Sequence, residues 1–222
     1  MKTALAIAAF IALTPSLRAD WVIVQNSKAL GQDSQMTIKV KGDHIRNQIG
    51  TSMTVLMDVA KGTSKMFMHD SKSVMTMNTS TMKMAAGLAS QFLGGGSDGA
   101  PAKPKATGEK VKVGEWNTEV YTWESKMGSG KFYVAKDFPK FDELNKAMDR
   151  ITKSMSNPMS AMFPNFADFP GMVVKSEMTM MGQLSTTELV SAKEEPVSDA
   201  EFTEPEGYKE LKMPTLPGGL GK

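Results

Sequence analysis

The amino-acid sequence predicts an α+β fold in which helices pack on a single antiparallel β-sheet. Two observations lead to this prediction. Short runs of alternating apolar and polar residues recur about every ten residues in the first third of the chain, which is typical of an antiparallel sheet with one buried face. Two later segments place their apolar residues at helical spacing instead, and this pattern predicts amphipathic helices.

Residues 1–19 have the pattern of a Sec-type signal peptide. Lys2 supplies a positive charge, residues 4–13 are an uncharged apolar run, and small residues follow Pro15, which is the order found in such peptides. The apolar run of about ten residues is too short for a membrane-spanning helix, which needs about 20. We expect cleavage after Ala19, with cleavage after Ser16 as the alternative.

The mature chain is therefore expected to be periplasmic or secreted. The sequence contains no cysteine, so we expect neither a lipid anchor nor disulfides, and no later stretch is long and apolar enough to span a membrane. Removal of Lys2 and Arg18 with the leader reduces the 26 basic residues to 24, which equals the 24 acidic residues. A neutral balance argues against nucleic acid as a partner, because general nucleic-acid binding requires a basic excess.

The first half of the mature chain predicts a meander of short strands. Within residues 36–41, for example, Met36, Ile38 and Val40 alternate with polar residues, which is the side-chain period of a strand. Turn signals rich in Gly and Asp separate the runs. The predicted strands are residues 21–25, 36–41, 44–49, 52–59, 66–68 and 74–77.

The pattern then changes from strand to helix. Met82, Ala85, Ala89 and Phe92 recur at helical spacing, which predicts a first helix. Residues 94–108 contain Gly, Pro, Ala and Lys without an apolar pattern, and this composition predicts a flexible loop.

The second half adds strands, a second helix and a closing hairpin. Phe141, Leu144 and Met148 begin the apolar face of the second helix, and residues 159–169, which contain Pro164, predict one short helix and a loop. Further strands are predicted at residues 111–113, 119–123 and 131–134, and the hairpin at residues 172–180 and 183–192.

No fixed-period repeat and no convincing boundary divides the chain. We therefore expect one domain over residues 20–212, with the flexible loop inside it at residues 94–108. Residues 213–222 are expected to be a disordered tail.

Four phrases, in their order along the chain, resemble an exported bacterial family. They are MTIKVKGD at 36–43, GEWNTEVYTW at 114–123, YVAKDFP at 133–139, and EF followed by PEGYK within 201–209. The family is the one described as domain of unknown function 4412, and the resemblance covers most of the mature chain. It implies an envelope location and a LolA-like fold, the open half-barrel of periplasmic lipoprotein carriers, in which helices pack into the concave face of one curved sheet. It supplies no catalytic residues.

The 20 methionines are the anomaly of the composition. Methionine is flexible and polarizable, and it is over-used on surfaces that accept several apolar ligands. We predict that a hydrophobic ligand, or the lipid of a lipoprotein, binds in the half-barrel. The predicted lining residues are Met53, Met57, Met66, Met68, Met75, Met77, Met82 and Phe92. The competing interpretation is that these residues fill a packed core.

The same residues permit a second hypothesis, a periplasmic Cu(I) site. Met66 and Met68 form a Met-x-Met pair and His69 follows them, and thioether ligands select Cu(I). In a strand, however, Met66 and Met68 share one face while His69 points to the other. The alternative metal ligands are therefore Met66, Met68 and His69, and the main prediction has no metal.

No catalytic motif is found in the sequence. The chain has two histidines, His44 and His69, and neither lies in a metal-ligand spacing such as H-E-x-x-H. His69 and Asp70 are predicted to form an exposed turn. The sequence around Gly128 imitates a phosphate-binding loop but has Phe132 where such a loop requires Ser or Thr.

The sequence therefore predicts a non-enzymatic envelope protein without a cofactor, expected to be a monomer, that binds a hydrophobic ligand or a lipidated partner. A Cu(I)-binding protein and a structural or interaction protein with a packed core are the alternatives.

Overall fold

The computed structural model describes residues 20–29, 31–78, 103–125, 128–154 and 164–211 of the chain. These residues form one large, open and curved sheet, one α-helix and two 3-10 helices. The strands are β1 (Trp21–Ala29), β2 (Gln32–Lys41), β3 (His44–Ile49), β4 (Met53–Asp58), β5 (Thr63–Met68), β6 (Ser73–Asn78), β7 (Lys105–Val113), β8 (Trp116–Ser125), β9 (Gly128–Ala135), β10 (Met172–Met180), β11 (Gln183–Glu194) and β12 (Lys209–Glu210). The α-helix α1 is Phe141–Ser154, and the 3-10 helices are Phe166–Asp168 and Asp199–Phe202.

The sheet consists of two antiparallel meanders joined at one pair of strands. Neighbouring strands follow the order β12-β6-β5-β4-β3-β2-β1-β11-β10-β9-β8-β7. The meander β1–β6 and the meander β7–β11 therefore meet where β1 pairs antiparallel with β11. The two-residue strand β12 differs from the others because it pairs parallel with β6. The predicted hairpin of residues 172–192 is confirmed by the antiparallel pair β10–β11.

The register of β1–β6 defines two faces of this part of the sheet. Trp21 lies opposite Val40, and Val40 lies opposite Ile45, so their side chains lie on one face, here called the core face. The intervening residues point to the other side, the back face. Trp21, Val40 and Ile45 are each 2% exposed, which makes the core face the buried side of β1–β3.

Helix α1 packs on the core face. Leu144 belongs to the same buried cluster as Trp21, Ile23 and Ile45, and the half-buried side chains of Phe141 and Met148 pack against it. The predicted second helix is confirmed, and Phe141, Leu144 and Met148 lie on its packed side, as their helical spacing indicated.

A second buried cluster covers β8 and β9. Phe169, which follows the first 3-10 helix, packs its ring 5.0 Å from that of Phe132 and 5.8 Å from that of Tyr121. A Cβ atom on Gly130 would lie 2.7 Å from the ring of Phe132. Glycine is therefore required at this position for close packing, and the imitation of a phosphate loop has a structural explanation.

Residues 195–211, here called the C-terminal segment, cross the back face. Lys41 Nζ donates to the Val197 carbonyl at 2.7 Å, and Arg46 Nη1 donates to the Glu201 carbonyl at 3.1 Å. At the end of the segment, the Lys209 amide donates to the Lys72 carbonyl at 2.9 Å. The two faces of β1–β6 are thus covered by different parts of the chain.

Two predicted boundaries are corrected by the structure. The first strand does not end at residue 25, because backbone pairing with β2 and β11 continues to Ala29. The end of the predicted loop 94–108 is also wrong, because Lys105 already pairs with Thr122 at the start of β7. Residues 105–110 are exposed, so they lack the apolar alternation that marks a half-buried strand.

Several predictions lie outside the described residues. They are the signal peptide at 1–19, the first helix with Met82 and Phe92, the loop up to residue 102, and the tail at 213–222.

Candidate functional site

The methionines predicted to line a ligand site lie on the core face of β4, β5 and β6. Met66 lies directly opposite Met75, and Met53 lies directly opposite Met68. The register also aligns Met57 with Ser64, and Ser64 with Met77. Side chains directly opposite one another on antiparallel strands have Cβ atoms about 4.5–5.5 Å apart. The arrangement places six methionines on one surface, interrupted by Ser64. This surface is here called the methionine face, and it is made of Met53, Met57, Met66, Met68, Met75 and Met77.

The methionine face is half-buried, whereas the neighbouring part of the core face is closed. All six of its methionines have intermediate exposure. Met57 packs against the buried cluster beneath α1, and it is the link between that cluster and the methionine face. Met82 and Phe92, the other predicted lining residues, lie outside the described residues.

The structure does not bring His69 to the methionine face. Its Nε2 atom is 2.8 Å from Thr54 Oγ1, and its Nδ1 atom hydrogen-bonds the hydroxyl of Tyr208. Thr54 follows Met53 along β4 and therefore points to the back face. Within the described residues, the proposed combination of Met66, Met68 and His69 is split across the sheet.

His69 instead belongs to a partly buried contact that sequence reasoning missed. The ring of Tyr208 packs edge-on against Phe67 at 5.3 Å, and Lys72 Nζ lies 5.5 Å from the centre of the same ring. Phe67 and Thr54 are each 1% exposed. The predicted turn at His69 and Asp70 is present and Asp70 is exposed. The His69 side chain is only half-exposed, because it bonds Tyr208, which lies 139 positions later along the chain.

The back face is held to the C-terminal segment by ion pairs. Lys39 Nζ lies 2.7 Å from a carboxylate oxygen of Glu201, and Lys41 Nζ lies 2.8 Å from one of Asp199. A third pair joins Lys65 and Glu204 at 2.6 Å. These pairs give the segment a defined position on the sheet.

The same ion pairs shift the pKa values of Glu201, Asp199 and Lys41. The hydrogen bond from Lys39 lowers the pKa of Glu201 below its ordinary value. The hydrogen bond from Lys41 likewise lowers the pKa of Asp199, and it raises the pKa of Lys41 itself. The charged forms of these residues are therefore favoured in the folded protein.

One polar atom stands out on the core face beside the methionine face. The Oδ1 atom of Asn47 is buried and has no hydrogen-bond partner among the residues that the structure describes. In the described part of the chain, Trp123 Nε1 is the other buried side-chain atom of this kind, and Trp123 belongs to the cluster closed by Phe169. Buried polar atoms are almost always paired, so both positions are unusual.

Three surface clefts of the described residues have charged side chains in their lining. The first, of about 430 Å³, is lined by residues that include Lys110, Lys112 and Lys136. The second, of about 570 Å³, lies between Lys28 and Lys175, and the third, of about 350 Å³, lies beside the C-terminal segment. Met57 lines the third cleft, but the other members of the methionine face line none of the three.

The chemistry available on the methionine face is apolar contact and thioether coordination. Among the described residues, no group of three or more His, Cys, Asp or Glu side chains is placed to hold a metal ion. Nor is any helix in the described ranges long and apolar enough to cross a membrane.

The fold has distant similarities among solved structures. The Pseudomonas aeruginosa MucA/MucB complex gives a TM-score of 0.46 at 9% identity, over 87% of this chain and 58% of that chain. The Mycobacterium tuberculosis lipoprotein LppX gives a TM-score of 0.43 at 7% identity, over 80% of this chain and 88% of the LppX chain. PNGF-II gives a TM-score of 0.42 at 12% identity, over 89% of this chain. This chain spans only 31% of the length of the PNGF-II chain.

No curated protein matches the chain at a significant level. A family match, in contrast, extends from residue 23 in β1 to residue 208, the tyrosine that covers His69. It therefore includes both meanders, the methionine face and most of the C-terminal segment. The chain belongs to the family described as "Domain of unknown function (DUF4412)".

Proposed function

We propose that this protein is a non-enzymatic envelope protein that binds a hydrophobic ligand or a lipidated partner on the methionine face. One observation carries the proposal. The six described methionines that the sequence assigned to the lining all lie on one face of β4–β6, and four of them form the direct cross-strand pairs Met66–Met75 and Met53–Met68.

The physical properties of this surface suit a flexible apolar ligand. Unbranched methionine side chains adapt to ligands of different shape, and each CH₂ group of an acyl chain removed from water contributes about 0.8 kcal/mol. The half-burial of these methionines leaves apolar area that a ligand can still cover. We infer that the half-barrel is concave on this side, with α1 closing one end of it.

The proposed location is the periplasm or the outside of the cell. The leader pattern of residues 1–19 supports export, and the family resemblance supports an envelope setting. An amphiphile moving between membranes through water needs an apolar surface to cover its chain, because exposed hydrocarbon is unfavourable in water.

Cu(I) binding is the second candidate, and a specific observation favours it. The pairs Met66–Met75 and Met53–Met68 bring thioethers from different strands into direct opposition, and soft thioether ligands select Cu(I). His69 cannot contribute to such a site while it bonds Thr54 and Tyr208 on the back face.

Native mass spectrometry of the full-length protein purified from its own cell envelope tests both candidates. A co-purifying lipid supports the main proposal, and a bound copper ion supports the alternative. Finding neither, together with no uptake of an added acyl-chain probe, would refute both and leave a structural or interaction role.

Matched variants assign the ligand to the methionine face. A double variant, Met66→Leu with Met68→Leu, keeps the surface apolar but removes two thioethers, so it should lose copper and retain lipid. Met66→Gln with Met75→Gln should lose lipid. Met181→Gln is the control, because Met181 is 82% exposed and lies in the turn after β10. Equal lipid binding by all variants would contradict this assignment.

A further inference from the structure

Asn47 lies at the centre of an otherwise apolar row of side chains that runs across the sheet. The register aligns Ile23, Ile38, Asn47, Val55, Met66 and Met75 on the core face. This row leads from the cluster beneath α1 to the methionine face. The buried Oδ1 atom of Asn47 has no partner among the described residues, so an unpaired hydrogen-bond acceptor stands on β3, at the edge of the methionine face.

The neighbours of Asn47 within the described sheet cannot supply the missing donor. On its own strand the core-face neighbours are Ile45 and Ile49, and directly across from it are Ile38 and Val55. The diagonal neighbours on β2 and β4 are also apolar: Met36, Val40, Met53 and Met57. None of these eight side chains carries a hydrogen-bond donor.

A water molecule is a poor candidate for the partner. A buried water is retained where two to four polar groups surround it, and the eight neighbouring side chains offer none. An apolar residue of similar size would avoid the unfavourable burial of an unpaired carbonyl oxygen. The asparagine is therefore best explained by a partner that arrives together with an apolar ligand.

We propose that the ligand of the methionine face is an amphiphile whose polar part donates a hydrogen bond, from a hydroxyl or an amide N–H group, to Asn47 Oδ1. The inference rests on the proposed function and adds the chemical class of the ligand. The apolar chain lies along the methionines of β4–β6, and the donor group reaches Asn47 on β3. An ester or a pure hydrocarbon fits this site less well, because neither has a donor.

Three probes of equal chain length test the proposal: decan-1-ol, decanamide and methyl decanoate. Binding to the full-length protein is measured by calorimetric titration. The alcohol and the amide should bind about 3- to 10-fold more tightly than the ester, which corresponds to the net strength of one hydrogen bond. In Asn47→Leu the preference for the alcohol and the amide over the ester should be lost, while Asn117→Leu, at an exposed position of β8, should behave like the wild type.

The outcomes separate this inference from the proposed function. If the wild type binds the ester as tightly as the alcohol and the amide, or more tightly, the hydrogen bond is refuted while the apolar site stands. If none of the probes binds, the proposed function fails, and this inference fails with it.

A second measurement needs no ligand. Asn47→Leu replaces the unpaired buried carbonyl group by an apolar side chain of similar shape. The denaturation midpoint of this variant should therefore be higher than that of the wild type. A marked fall in the midpoint would show that Asn47 already has a partner in the unliganded protein, and it would overturn the proposal.

Discussion

Tyr208 connects the C-terminal segment to the back face through one hydrogen bond and an edge-on ring contact. Its hydroxyl bonds His69 Nδ1, whose ring also bonds Thr54 Oγ1 through Nε2, and its ring meets Phe67 edge-on. A neutral imidazole donates through one nitrogen and accepts through the other. Both ring nitrogens of His69 therefore have a hydrogen-bond partner, Thr54 on one side and Tyr208 on the other. The hydroxyl of Thr54, at 1% exposure, would otherwise be buried without this partner.

We predict that Tyr208→Phe lowers the free energy of unfolding by about 1 kcal/mol, because it removes one hydrogen bond and keeps the ring. Urea denaturation of the full-length protein measures the change. Tyr133→Phe is the matched control. The Tyr133 hydroxyl is 3.4 Å from Glu177, a longer hydrogen bond, so its removal should lower the free energy of unfolding by less. A larger loss in the control would mean that the His69 contact contributes little.

At the scale of single residues, sequence reasoning succeeded where the pattern was local. Met66 and Met75 were assigned to one face from alternation alone, and the register places them directly opposite one another. The environment of His69 was missed, because the residue that covers it is 139 positions away and no local pattern marks it. The unpaired oxygen of Asn47 was equally invisible, because it depends on the neighbours from β2 and β4.

At the scale of elements, the C-terminal segment is joined to the sheet by several ion pairs. It has little regular structure, since only the second 3-10 helix and the two-residue β12 lie within it. Its position depends on the ion pairs of Glu201, Asp199 and Glu204 with lysines of β2 and β5. Ion pairs at partly exposed sites are individually weak, so the segment needs several of them.

Acid is predicted to loosen this segment. The ordinary pKa values are 4.5 for Glu201 and 3.8 for Asp199, and both are lowered in the folded protein. Each carboxylate therefore stabilises the folded state above its ordinary pKa, and this stabilisation is lost as the pH falls through the lowered native pKa. The free energy of unfolding should thus decrease as the pH falls below the ordinary pKa of 4.5 for Glu201.

Glu201→Gln checks the origin of this decrease. The variant should be less stable than the wild type at neutral pH and should lose less stability on acidification, as followed by urea denaturation at a series of pH values. Glu206→Gln, at an exposed position of the same segment, should keep the wild-type pH profile. An unchanged profile in Glu201→Gln would assign the acid sensitivity to other groups.

The whole molecule is organised around β1, which pairs with β2 on one side and β11 on the other. Strand β7 lies at one end of the sheet with one neighbour, and residues 105–110 at its start are exposed. An edge strand has backbone groups that are free to open to water. The protection of backbone amides against hydrogen exchange should therefore decrease from the centre of the sheet toward β7.

Native-state hydrogen exchange tests this gradient. We expect amides of β1 to exchange more than about 100-fold more slowly than those of β7, because edge strands open locally while central strands require larger unfolding. Strand β9, which is paired on both sides, should resemble β1 and serves as the internal control. Equal protection of β7 and β1 would show that another molecule covers the edge.

The sequence by itself determined the parts of this protein that depend on short-range periodicity. The meander β1–β6, the shared face of its methionines, the amphipathic α1 and the hairpin β10–β11 all follow from repeats of two residues in strands and three to four in helices. Only the tertiary structure decided the pairing of β1 with β11, the path of the C-terminal segment over the back face and the isolation of Asn47 Oδ1. These features join residues as far apart as Arg46 and Glu201, separated by 155 positions. Contacts at that distance depend on the complete sheet, and no local repeat specifies them.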